Sequence, residues 1–230
     1  FLYEKNGTKR EYPASMTKIM TCILSLEKGD TYQTVTVSPR AADVESTALN
    51  GGEWLSLGDL RNQMMMISDN GAATAIAENT AGSLPAFADM MNQKAKDIGM
   101  TGTHFVNANG MPDENHYSTA EDMARLARYA MENRNFRSIV STKKKQIRYI
   151  RPAEIFTCEN SNELLYTYPG ATGIKTGYTR AAPAVRDNHE LIVIIMHSRD
   201  MDSRFTEAAK LLDYGFSLIK KEPSSDKKKA

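Results

Sequence analysis

The chain has 230 residues, of which 41% are hydrophobic and 25% charged, with a formal net charge of +1, an ordinary balance with ample material for a buried core. That near-neutral charge excludes nucleic-acid binding driven by bulk electrostatics, and no apolar run approaches the roughly 18 residues of a membrane span. Two cysteines, Cys22 and Cys158, cannot build a disulfide framework and read as buried thiols, so they leave the compartment open.

Phe1 to Gly7 reads as a short strand running into a turn. The start at Phe1, without a basic or apolar leader, reads as a trimmed or processed product. A helix follows with Ile19, Ile23 and Leu26 on one face and Gly29 as its stop. Thr34 to Val37 alternates like a strand. Leu57 to Ala81 is helical but broken by Ser68-Asp69-Asn70-Gly71. Leu84 to Ile98 is a helix ended by Gly99. Ser118-Thr119-Ala120-Glu121 reads as a capping box opening a helix through Met123, Leu126 and Ala130. Gln146 to Ile150, Leu164 to Tyr168 and Leu191 to Met196 read as strands, and a last amphipathic helix carries Phe205, Leu212, Phe216 and Ile219. The order predicts an α+β fold, an antiparallel sheet flanked by helices with an all-helical lobe inserted at roughly 40–140. Residues 221–230 have linker composition.

Three short motifs carry chemistry. Ser15 and Lys18 stand three apart, one turn along a helix and on one face, and a buried neutral lysine there can take the serine proton. Alone, the pair also fits an N-cap serine followed by a solvated lysine. Ser68-Asp69-Asn70 places polar groups inside an apolar stretch, where they need partners or a cavity; a capped helix corner is the plainer account. Lys175-Thr176-Gly177 on a strand sends Lys175 and Gly177 to one face, and Gly177 clears space for a close approach. Taken together and in this order, the three form the joint signature of penicillin-binding proteins and class A β-lactamases. His104, His116, His189 and His197 show no ligand spacing, so no metal and no cofactor are expected. Met64, Met65, Met66, Met90 and Met91 read as core filling, and Glu121 as part of its capping box.

The resemblance extends further. Tyr12-Pro13-Ala14-Ser15-Met16-Thr17-Lys18 and Pro169 to Thr179 resemble segments of the low-molecular-mass D-alanyl-D-alanine carboxypeptidases, and so does Phe105-Val106-Asn107-Ala108-Asn109-Gly110-Met111. The match runs from Leu2 to about Ile219, which implies a β-lactamase/transpeptidase-like catalytic domain over 1–220. It implies a serine carboxypeptidase acting on the D-Ala-D-Ala end of peptidoglycan stem peptides, acylated by β-lactams and working outside the cytoplasm. By that resemblance Ser15 is the nucleophile, Lys18 the general base, Ser68 a proton relay, Asn70 the holder of the stem amide and Lys175 a cation beside Ser68. The Ser15 and Tyr178 backbone N–H groups form the oxyanion hole. Thr176, Gly177 and Arg204, with Arg199 as second choice, receive the terminal carboxylate. Asp69 stands where these enzymes more often have glycine, and Asn109 where they often have histidine. A serine β-lactamase lacks support here, because no Glu-x-x-Leu-Asn occurs between Ser68 and Lys175. A penicillin-binding sensor with little turnover is the other alternative, and membrane anchoring outside these residues stays open. Finally, the 16 steps from Lys175 to Leu191 look short for a hairpin, with Pro183 where a ladder donor is needed, so residues are expected to be missing between Ala182 and Pro183.

Overall fold

The structure, a computed structural model, describes residues 1–175, 180–196 and 203–221. After the single 3-10 turn Ala14–Met16 comes helix α1, Thr17–Lys28. The expected one-sided helix is instead buried all round from Thr17 to Ser25, which makes it the central rod of the core. Its buried polar groups are therefore each given a partner, as burial demands. Thr17 Oγ1 meets His116 Nε2 at 2.8 Å, and Thr21 Oγ1 donates to the Ala108 carbonyl at 2.6 Å. Arg61, itself 1% exposed, closes the C-terminal end of α1 by donating to the Ser25 carbonyl at 2.5 Å and the Gly29 carbonyl at 2.8 Å. A guanidinium suits the negative end of a helix.

Next in the chain come β1 (Thr34–Thr36), α2 (Pro39–Ala42), β2 (Trp54–Ser56), α3 (Leu57–Ile67), α4 (Asn70–Ala81), α5 (Leu84–Asp97), α6 (Ala120–Glu132) and α7 (Arg134–Ser141), of which α3, α4, α5, α6 and α7 pack around α1. β3 (Lys144–Arg151) and β4 (Glu154–Glu159) follow, and with β1 and β2 they form one antiparallel sheet in the order β1-β2-β3-β4. After a short helix α8 (Leu164–Thr167), β5 (Arg180–Arg186) and β6 (His189–Ile195) form a separate antiparallel hairpin, covered by the long helix α9 (Ser203–Lys221). Cys22 and Cys158 are buried and unbridged, as expected.

Four sequence expectations change. Leu164–Tyr168 is not a strand: Tyr166, Thr167 and Tyr168 donate back to Glu163 and Leu164, the bonds of a helical turn and not of a ladder. Phe1 to Gly7 forms no strand, for it finds no ladder partner among the described residues; Gly7 instead accepts from the Glu121 N–H. The cap of α6 is Thr119, whose Oγ1 accepts from Asp122 N at 3.1 Å, while Ser118 Oγ meets Thr103 Oγ1 at 2.7 Å. Glu121 lies outside that cap and pairs with Arg125 one turn on.

The fourth concerns Ala182 and Pro183. β5 runs through both without a register break, Ala182 facing Val193 and Pro183 facing Ile192, so the span holds a full hairpin. Pro183 is tolerated because odd positions of β5 turn their backbone groups away from β6. Ala181 exchanges bonds with Lys175, the Pro183 carbonyl accepts from Thr172 N, and Val185 N donates to Gly170. The donor that proline lacks is one the β6 ladder never uses.

Candidate active site

Ser15 sits in the 3-10 turn that leads into α1, immediately after Ala14, whose φ of +47° is left-handed. That turn is shaped from outside by Gly110. A Cβ at Gly110 (φ +86°) would lie 1.9 Å from the Ala14 carbonyl oxygen and 3.0 Å from Ser15 N, so only glycine lets the 105–111 loop close under the serine. One turn on from Ser15, as the second residue of α1, Lys18 is fully buried. Its Nζ lies 3.2 Å from Ser15 Oγ, 2.7 Å from Asn70 Oδ1 and 2.5 Å from the Asn109 carbonyl. Burial pushes its pKa down to about 7, partly opposed by the Asp69 carboxylate. Three partners suit both protonation states. An ammonium donates to all three, whereas a neutral amine donates to the two carbonyl oxygens and turns its lone pair to Ser15.

Ser68 ends α3 in the left-handed region, at φ 65° and ψ 29°, and this bend carries its Oγ to within 2.9 Å of Ser15 Oγ, to which it donates. Asp69 caps α4, its Oδ1 accepting from Ala72 N at 2.8 Å. The same carboxylate accepts from Thr47 Oγ1 and Ala48 N at 2.8 Å each and from Gln63 Nε2 at 2.9 Å. Four donors make it the knot between α3, α4 and the 45–48 loop. Asn70, the first residue of α4, accepts from Lys18 and donates to the Glu45 carbonyl at 2.8 Å. Gly71 allows this packing, since a Cβ there would meet Thr47 Oγ1 at 2.2 Å.

Five residues thus come together: Ser15, Lys18, Ser68, Asn70 and Asn109. Lys175 is 1% exposed and bridges Ala181 of β5 through its backbone. Thr176, Gly177, Tyr178 and Arg199 lie outside the described residues, as does the side chain of Arg204 in the first turn of α9. The four histidines are expected to be structural, and His197 lies outside the described residues. For His116 the structure gives a reason: Nδ1 accepts from Val106 N at 3.1 Å, so the ring's proton sits on Nε2 toward Thr17, and burial pushes the pKa down to about 4. Among the described residues no three acidic, histidine or cysteine side chains gather as metal ligands.

Sequence reasoning missed the two carbonyls, of Asn109 and Glu45, that fix Lys18 and Asn70; a backbone acceptor leaves no mark on residue identity. It also passed over Asp69 as an organising group. A carboxylate at a helix start three residues before an N–H is a cap signal, and that could have found it.

A serine hydroxyl held between a buried amine and a second hydroxyl defines the serine–lysine class of acyl-transfer site. Residues 1–200 match the family described as D-alanyl-D-alanine carboxypeptidase, and the chain belongs to that family. It is 34% identical to a D-alanyl-D-alanine carboxypeptidase of Bacillus subtilis over 96% of this chain and 60% of that protein. A D-alanyl-D-alanine carboxypeptidase of Haemophilus influenzae is 30% identical over 92% of this chain and 57% of its own length, so the chain spans about three fifths of these relatives. The crystal structure of a Streptomyces DD-transpeptidase superposes with a TM-score of 0.89 at 29% identity, covering 94% of this chain and 92% of that one.

Proposed function

We propose that this chain is the catalytic domain, over residues 1–220, of a serine carboxypeptidase that removes the terminal D-alanine of peptidoglycan stem peptides. One observation carries the reading: Lys18 Nζ lies 3.2 Å from Ser15 Oγ, buried, with a pKa near 7. Neutral Lys18 takes the proton as Ser15 Oγ attacks the carbonyl carbon between the two D-alanines. The oxyanion that forms is held by the N–H groups of Ser15 and Tyr178. Collapse of the tetrahedral species breaks the C–N bond. Ser68, donating to Ser15 Oγ at 2.9 Å, passes its proton to the departing amine and takes back the one Lys18 holds, which restores the neutral amine, while Lys175 keeps this side of the site cationic. Water then hydrolyses the Ser15 ester with Lys18 as base.

Asn70 holds the stem amide, and Thr176, Gly177 and Arg204 receive the terminal carboxylate. β-Lactams present a similar amide and acylate Ser15. A wall-peptide substrate places the enzyme outside the cytoplasm. The reading calls for no cofactor.

The test is D-alanine release from a diacyl-Lys-D-Ala-D-Ala peptide together with labelling by a fluorescent penicillin. The wild type releases D-alanine and labels; Ser15→Ala does neither. Full labelling of Ser15→Ala would remove the serine from its role, and labelling without turnover would mean a penicillin-binding sensor.

A further inference from the structure

Ser68 and Lys175 come from separate parts of the fold, the end of α3 and the segment leading into β5, and no strand ladder joins these two among the described residues. A tripeptide between β4 and α8 does. The Met66 carbonyl, one residue short of the end of α3, accepts twice from Ser161, from N at 2.9 Å and from Oγ at 3.0 Å. Such helix-end carbonyls have no partner within the helix, and this one stands two residues before Ser68. The next residue, Asn162, donates from Nδ2 to the Gly173 carbonyl at 2.8 Å, two residues before Lys175. Asn160 makes the tripeptide rigid: its Oδ1 accepts from Asn162 N at 3.0 Å, an Asx turn, and its Nδ2 donates to the Thr142 carbonyl at 2.9 Å. Asn162 is 1% exposed. Gly173 is pressed against α7, for a Cβ there would lie 2.7 Å from Val140 Cγ2.

We propose that Asn162, with Ser161 beside it, is a positioning residue that fixes the separation between Ser68 and Lys175 on the leaving-group side of the site. This rests on the carboxypeptidase reading. Asn162 acts by holding the Gly173 carbonyl, two residues before Lys175, while Ser161 holds the Met66 carbonyl, two residues before Ser68. Displacements of about 1 Å in such groups cost up to about a hundredfold in rate.

The experiment measures benzylpenicillin acylation by rapid mixing, separating the rate constant of the covalent step from the Kd of the encounter complex. For Asn162→Ala the covalent step is expected to slow by about 10- to 100-fold, with Kd changed by less than about threefold. Asn133→Ala serves as the comparison. It removes the cap that accepts from Asn135 N and Phe136 N at the start of α7, and is expected to lower the melting temperature while leaving the covalent step unchanged. An unchanged covalent rate in folded Asn162→Ala overturns the positioning role. So does a loss that merely tracks the fraction unfolded, or one that Asn133→Ala reproduces at equal loss of stability. A wild-type chain that fails to acylate at all overturns the carboxypeptidase reading instead, which keeps the two failures apart.

Discussion

Lys18 is the residue on which the chemistry turns, and its environment makes a signed prediction. Burial lowers its pKa from 10.5 to about 7, because the hydration an ammonium loses there outweighs the opposing pull of the Asp69 carboxylate. In the proposed mechanism the base is the neutral amine, so the rate of penicillin acylation should climb as pH rises through about 7 and level off above it. The midpoint is read from the rate against pH. A flat profile between pH 5.5 and 8.5 would show that Lys18 does not titrate in the reaction. Stability carries the opposite face of the same shift. An unfolded Lys18 keeps its proton up to about 10.4, so between the two values the unfolded chain binds more protons, and this residue's contribution to stability increases with pH over that window.

At the scale of elements, the turn before α1, the corner between α3 and α4, and the 105–111 loop are three irregular pieces that meet at Ser15. Their irregularity is specified by single residues. The Gly110→Ala change tests this most directly. A Cβ 1.9 Å from the Ala14 carbonyl oxygen must displace backbone, and φ of +86° disfavours alanine as well. The expected result is at least a tenfold slower acylation of Ser15; an unaltered rate would show that the turn keeps its shape without the loop.

The same scale shows what residue patterns can and cannot disclose. Ser15 and Lys18 were legible because helical spacing ties them together, and Ser68 and Asn70 because polar side chains interrupt an apolar stretch. Asn109 was noticed for its side chain, yet its carbonyl is what meets Lys18. α3, α4 and α5 were legible from periodicity and stops. β4 was not, since Glu154–Glu159 is mostly exposed and takes its partner, β3, from a neighbour and not from its own alternation. Leu164–Tyr168 misled because four apolar and aromatic residues and a threonine fit a strand or a helical turn equally well, and only the bonds back to Glu163 and Leu164 decide.

In the whole molecule, the β5–β6 hairpin is what joins the parts. Ala181, Ile192, Ile194 and Met196 belong to the large core around α1, whereas Ala182, Ala184, Leu191, Val193 and Ile195 belong to a second core against Ala208, Leu212 and Phe216 of α9. The alternation explains why Leu191 to Met196 is apolar without a break: both faces of the strand are covered. It also predicts cooperativity, because loosening α9 strips one face of a hairpin whose other face helps close the main core. Leu212 is fully buried, so Leu212→Ala should cost about 2–5 kcal/mol. At roughly 2–4 °C per kcal/mol for a chain of this size, the melting temperature should fall by about 4–20 °C. The chain has one tryptophan, Trp54 on β2, in the other sheet and remote from α9. If the two cores unfold as one, Trp54 fluorescence and far-ultraviolet circular dichroism should report the same lowered midpoint in Leu212→Ala. A circular dichroism transition that drops while the Trp54 transition stays at the wild-type temperature would mean that α9 and the hairpin melt as a separate unit, and that the two-faced hairpin does not couple the cores.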